Sequence, residues 1–222
     1  MNFGVRGFAG WGWGAGSWRA GESRRVGEDG GVEAGVIELV RPRRGHFELG
    51  TGYHGDVWLD LDALFLRPAL LQPHIDSLAE QLREHQPEAV CGPIEGGAFL
   101  ALALATRLGV AFLPGYRAAA SPPGYRLPGV PGGIEGWRVA LADDAVNAGT
   151  AIRACDGELR RNGAVPVAVA ALLALGPAEA TVKNAMGLPL HAAATLNSQA
   201  WPAATCPLCA SGTALNEAHQ DP

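Results

Sequence analysis

RVALADDAVNAGTAI, residues 138–152, runs from an apolar strand through two adjacent carboxylates into the start of a helix. Val139 to Ala142 is unbroken by polar residues, as expected of a strand buried on both faces of a parallel sheet. Small residues then make a turn, Asn147-Ala148-Gly149-Thr150, and the spacing predicts a helix over Thr150–Arg161 that stops at Asn162-Gly163. The flanking sequence repeats this alternation. EAVCG (88–92), VAFLPGYR (110–117), VPVAVAALLAL (165–175) and LHAAATL (190–196) read as strands. Gly97–Leu108 and PAEATVKNAM (177–186) read as helices, as do residues 67–85, where Leu70, Leu71, Ile75, Leu78 and Leu82 keep near-helical spacing. His74 and His85 fall on what reads as the polar face of that last helix. Strands alternating with helices predict an α/β fold, a doubly wound and mainly parallel sheet.

Three segments flank this core. Residues 1–35 hold 11 of the 31 glycines and three of the six tryptophans without periodicity, and are expected to be a disordered extension. GHFELGTGYHGDVWLDL (45–61) reads as a hairpin, a small N-terminal hood beside the sheet. The main domain is expected over 36–215, followed by a short tail, 216–222.

Composition narrows the partners. A formal net charge of −5 argues against a nucleic-acid coat. No apolar run reaches the roughly 20 residues that span a bilayer. Four cysteines in a chain of this length make no disulfide framework, which suits a reduced, cytoplasmic setting. Lys183 is the sole lysine, so any cationic role falls to arginine or histidine.

In doubly wound sheets ligands bind beyond the carboxyl ends of the strands. Asp143 and Asp144 stand at such an end, and the turn after them offers backbone N–H groups and a helix N-terminus to an anion. Adjacent acids also suit sugar hydroxyls or a hydrated Mg²⁺. Anion cradle and diol-binding acids together point to a sugar phosphate; a plain strand–turn–helix with Asn147 as cap and two solvated acids fits the local pattern equally.

Residues 138–152 resemble the signature of the type I phosphoribosyltransferases, and most closely that of the orotate phosphoribosyltransferases. GHFELGTGYHGD (45–56) is similar to the family's N-terminal Gly-rich segment, and VCGPIEGGAFLALALA (90–105) to its pyrophosphate loop and following helix. The resemblance implies a Mg²⁺-dependent transfer from phosphoribosyl pyrophosphate to a pyrimidine-like base, by a homodimer. It implies that Asp143 and Asp144 bind the ribose hydroxyls close to the metal, and that Asn147, Ala148, Gly149, Thr150 and Ala151 hold the 5′-phosphate. Gly92, Glu95, Gly96 and Gly97 would face pyrophosphate, with Arg117 and Arg126 as the cations that meet its charge. His54 would lie near base and pyrophosphate, and Trp58 beside the base.

The departures fall on the base side. The segment RAAASPPGYRLPGVPGGIEG (117–136), where orotate enzymes usually place lysines and a histidine, holds only Arg117 and Arg126. Ala174-Leu175 stands where the family often has Asp-Arg, whose arginine pairs with the orotate carboxylate, and Asn147 replaces a threonine. A phosphoribosyltransferase for another base, or a non-catalytic sensor of phosphoribosyl pyrophosphate or nucleotide, therefore stands beside the orotate reading. Cys91 and Cys155 are expected in the core. CPLC (206–209) is half of a zinc site, with His191, His219 and Cys91 as candidate partners, or simply a C-terminal turn. His46 reads as structural, and Arg41, Arg43 and Arg44 as a solvated cluster.

Overall fold

A computed structural model describes residues 32–49, 52–118 and 124–217. The expected extension therefore lies almost wholly outside the described residues. Its last positions already belong to helix α1 (Val32–Val40), whose Val36 and Val40 are buried.

The five strands expected from sequence join a short sixth, in a stretch read as a Gly/Pro-rich loop, to form one six-stranded sheet. Its members are β3 (Ala89–Pro93), β4 (Ala111–Ala118), β5 (Gly124–Arg126), β6 (Arg138–Val146), β7 (Val165–Leu175) and β8 (Leu190–Leu196), in the order β5-β4-β3-β6-β7-β8. All neighbours are parallel except β4 and β5, where a short ribbon folds back at one edge. Side chains alternate across β6 and sort into two cores. Ala140 and Ala142 face α1, α2 (Pro68–Arg83) and α3 (Gly96–Leu108), while Val139 and Leu141 face α4 (Thr150–Arg161) and α5 (Ala178–Met186). Ala168 and Ala170 on β7 join the first face, and these small residues leave room for Leu71, Leu78, Leu100 and Leu104 of the covering helices. Cys91 and Cys155 are fully buried in the second core, as expected. In α2, however, His74 is only 5% exposed, because the backbone of α1 at Gly35 packs against its ring. The polar-face reading fails there: α1 covers a side that looked solvated in sequence. Burial holds the His74 pKa below the ordinary histidine value.

A second, three-stranded antiparallel sheet forms the hood. Strands β1 (Arg43–Glu48) and β2 (Tyr53–Trp58) make the expected hairpin, and β9 (Ala200–Pro202) adds to β2 with His54 opposite Trp201. The hood is thus built from both ends of the domain. Its C-terminal part is short and ends in proline, so no alternation announced it. Asn216 is tied to β1, its N–H donating to the His46 carbonyl at 2.6 Å and its Oδ1 accepting from the His46 N–H at 2.8 Å. Asn216, one residue past the expected boundary at 215, thus contacts the hood. Arg44 is also engaged, to Asp56 at 3.2 Å and to the Asn197 carbonyl at 2.8 Å, and Arg43 lies over the Phe47 ring. Two of the three arginines read as solvated thus contact the hood, and Arg44 remains exposed while doing so.

Candidate active site

The carboxyl ends of β3 and β6 lie side by side, which brings the two strongest motifs into contact. A Cβ on Gly96 would overlap the Asp144 carboxylate, and one on Gly97 would sit 2.6 Å from Asp143 Oδ1 and 2.9 Å from the Ala142 carbonyl. Gly92 is just as constrained, since its Cβ would overlap the Gly97 carbonyl. These glycines let the loop before α3 close onto the acids, a packing demand that sequence reading had assigned to a ligand alone. Glu95 is exposed at the N-cap of α3, joined to Ile94 by a cis peptide. Its carbonyl accepts from the Ala98 N–H at 3.1 Å.

Asp143 and Asp144 form no ion pair among the described residues. Asp143 Oδ1 accepts from the Asp144 N–H at 3.1 Å, and Asp144 Oδ1 from the Ala145 N–H at 2.7 Å. Burial, and next the charge of Asp144, push the Asp143 carboxyl well above the usual carboxylate range. Burial likewise raises Asp144, with a further contribution from Asp62, which lies in a 3₁₀ turn at Asp62–Leu64. Two acids held close together without a cation fit a hydrated divalent ion and ribose hydroxyls, so the donor set suits Mg²⁺. Asp62 is a third carboxylate near the pair that the motifs did not signal, because it lies in a loop with no spacing relation to β6.

Beyond the acids, Gly149 adopts the left-handed region at φ 64° and starts α4 without any side-chain cap. The Asn147 cap considered from sequence is absent. The first-turn N–H groups therefore stay open at the same sheet end as the acids, with Ala148 and Thr150 exposed. Ala151 follows within the first turn of α4.

On the hood side, a cavity of about 210 Å³ opens between the hairpin, the end of β7 and the chain before β9. Trp58, Val57, Leu59, Leu61 and Leu175 give it an apolar wall, and Asn147, Ser198 and Gln199 supply amide and hydroxyl groups. Trp58 and Asn147 both line this cavity. Ser198 and Gln199 were missed, since they lie in an irregular segment whose position depends on β9. No lining residue carries charge, and Leu175 belongs to the apolar wall.

Three of the expected site residues have other neighbours. His54 does not stand free for base or pyrophosphate: its Nδ1 lies 3.0 Å from His46 Nε2 and 3.2 Å from Cys209 Sγ, drawn into the hood. Arg117 and Arg126 are not brought together. Arg117 pairs across the ribbon with Tyr125, and Arg126 with Tyr116, over whose ring its guanidinium sits at 5.0 Å. Directly opposed residues share a face and successive ones alternate, so the two arginines start from opposite faces.

No family model matches the chain. It is 28% identical to an orotate phosphoribosyltransferase of Thermus thermophilus over 189 residues, 82% of this chain and 98% of that protein. A protein of the same name from Caldanaerobacter subterraneus subsp. tengcongensis is 26% identical over 81% of this chain and 90% of its own length. Among solved structures, the orotate phosphoribosyltransferase of Aeropyrum pernix superposes with a TM-score of 0.61 at 27% identity, covering 73% of this chain and 93% of that one. An adenine phosphoribosyltransferase from Thermoanaerobacter pseudethanolicus, at 19% identity and a TM-score of 0.58, covers 72% and 98% and shares the fold.

Proposed function

We propose that this chain, a type I phosphoribosyltransferase by fold and by resemblance, transfers the phosphoribosyl group of phosphoribosyl pyrophosphate to a pyrimidine-like base, orotate first among them. The observation that carries this reading is the contact of Gly96 and Gly97 with Asp144 and Asp143, beside an uncapped α4.

On this reading Asp143 and Asp144 accept from the ribose 2′- and 3′-hydroxyls and would hold Mg²⁺, and the first turn of α4 receives the 5′-phosphate through backbone N–H groups. Mg²⁺, when bound, neutralises charge on the pyrophosphate leaving group. The loop Gly92–Gly97 lines the pyrophosphate path with backbone, and Arg117 in β4 supplies the cation that meets its charge. Trp58 and Asn147 hold the base in the hood cavity so that its nitrogen meets C1′ opposite the departing pyrophosphate. Positioning and fixed charge carry the rate, with no covalent enzyme intermediate. The protein acts as a cytoplasmic homodimer.

The test is loss of orotate absorbance with purified protein, Mg²⁺ and phosphoribosyl pyrophosphate. The uncharged cavity, with Leu175 in its wall, favours one second reading within the class: a base without a carboxylate. Turnover of such a base with orotate inert moves the specificity and keeps the class. Tight binding of phosphoribosyl pyrophosphate with no pyrophosphate release across a base panel makes the protein a sensor.

A further inference from the structure

The hood holds a cluster that the transfer reaction does not use. His46 Nε2, His54 Nδ1, Cys206 Sγ and Cys209 Sγ are the candidate ligand atoms of a group lying within 4.8 Å of one another. His46 Nε2 is 3.0 Å from His54 Nδ1, 3.4 Å from Cys206 Sγ and 3.7 Å from Cys209 Sγ, and Cys209 Sγ is 3.2 Å from His54 Nδ1. We propose that these four side chains bind a structural Zn²⁺ that fastens the β1–β2 hairpin to the C-terminal segment.

Tetrahedral zinc with Zn–N of about 2.0–2.1 Å and Zn–S of about 2.3 Å places its ligands roughly 3.3–3.8 Å apart. The four separations of 3.0–3.7 Å, with all four atoms inside 4.8 Å, lie close to that size. Two thiolates and two imidazoles are also the donor set that selects zinc among divalent ions. The orientation of His46 agrees. Its Nδ1 lies 2.8 Å from the Thr213 carbonyl, which can only accept, so Nδ1 carries the proton and Nε2 presents a lone pair inward. Three groups converge on that single lone pair. Only one of them can donate to it in a hydrogen-bond network, in a place where His46 is 1% and Cys206 3% exposed. One cation uses all four lone pairs at once. Both thiols lose their protons on binding, so each Zn²⁺ taken up releases two protons and the site is left neutral.

The placement of CPLC explains the geometry. Cys206 caps the short helix α6 (Pro207–Ala210) and Cys209 lies within it, so the Cys-x₂-Cys spacing turns both sulfurs to one side. The partners expected from sequence are elsewhere: His191 bonds His85 and Gln81, Cys91 is buried in the sheet, and His219 lies outside the described residues.

Elemental analysis of the purified full-length protein should find one zinc per chain. Replacing it with Co²⁺ should give the visible absorption and thiolate charge-transfer bands of tetrahedral S₂N₂ cobalt. The double variant Cys206→Ser with Cys209→Ser should lose both. Because that variant can fail to fold, Co²⁺ is also titrated into chelator-stripped wild-type protein. Absence of the cobalt spectrum there overturns the proposal, as does full zinc stoichiometry in the double variant.

Discussion

The phosphoribosyl cradle and the hood differ in how the chain builds them. The cradle comes from two contiguous motifs at the ends of adjacent parallel strands, and its acids sit against glycine backbone with no room for a side chain. The hood draws on segments about 150 residues apart in sequence: β2 pairs with β9, and His46 meets Asn216. The cradle is fixed by the sheet, whereas the hood is fixed by pairings between chain ends. On the proposed function, the cradle would set whether phosphoribosyl pyrophosphate binds at all, and the hood which base joins it.

The largest effect should come from removing the acids. Asp143→Ala with Asp144→Ala forfeits charge-assisted hydrogen bonds of about 1.5–3 kcal/mol each, so calorimetry should show affinity for phosphoribosyl pyrophosphate falling at least about a hundredfold. Unchanged affinity would erase the cradle from the comparison. Next in size is Gly96→Ala, whose Cβ meets the Asp144 carboxylate. A displacement near 1 Å costs on the order of a hundredfold, and kcat/KM should drop accordingly while circular dichroism stays native. Trp58→Ala tests the independence of the halves. It should raise the KM for the base about tenfold, roughly 1.4 kcal/mol, and leave affinity for phosphoribosyl pyrophosphate within about twofold. An equal loss for both ligands would break the division.

The smallest effect is on stability. Asp143 has a raised pKa in the folded protein, through burial and then the charge of Asp144. A carboxyl raised in this way favours the folded state below its unfolded value of about 3.9, and that contribution is lost as pH rises through the folded value. Asp143→Asn removes the ionised form, so thermal melting at pH 8 should rise by a few degrees, with little change at pH 4. A lower melting temperature at pH 8 would show that the acid supports the fold rather than straining it.

Much of the sheet was legible because its signals are local. Val139–Ala142 and the helix start at Thr150 declare themselves within a few residues, and Asp143 and Asp144 follow from the same stretch. What stayed hidden depends on contacts that no local pattern encodes. Residues 200–202 form a strand because β2 offers them an edge. Ser198 and Gln199 reach the cavity for the same reason. His54 reads as a substrate ligand by position in a motif, yet Cys209 from the far end of the chain captures it. His74 reads as solvated until α1 covers it. The departures at Leu175 and Asn147 were visible in sequence, but their meeting in one uncharged cavity was not.

The strand β9 has a consequence for biosynthesis. All six strands of the parallel-rich sheet are available once residue 196 has emerged from the ribosome, and domains fold as units during synthesis. The cavity wall at Ser198 and Gln199, the edge pairing at 200–202 and the tie at Asn216 arrive only afterwards. Closing that long loop is the slow, entropically costly step. A nascent chain should therefore hold a folded sheet before it has a place for the base, and the base cavity should be complete only once residues 198–216 are made.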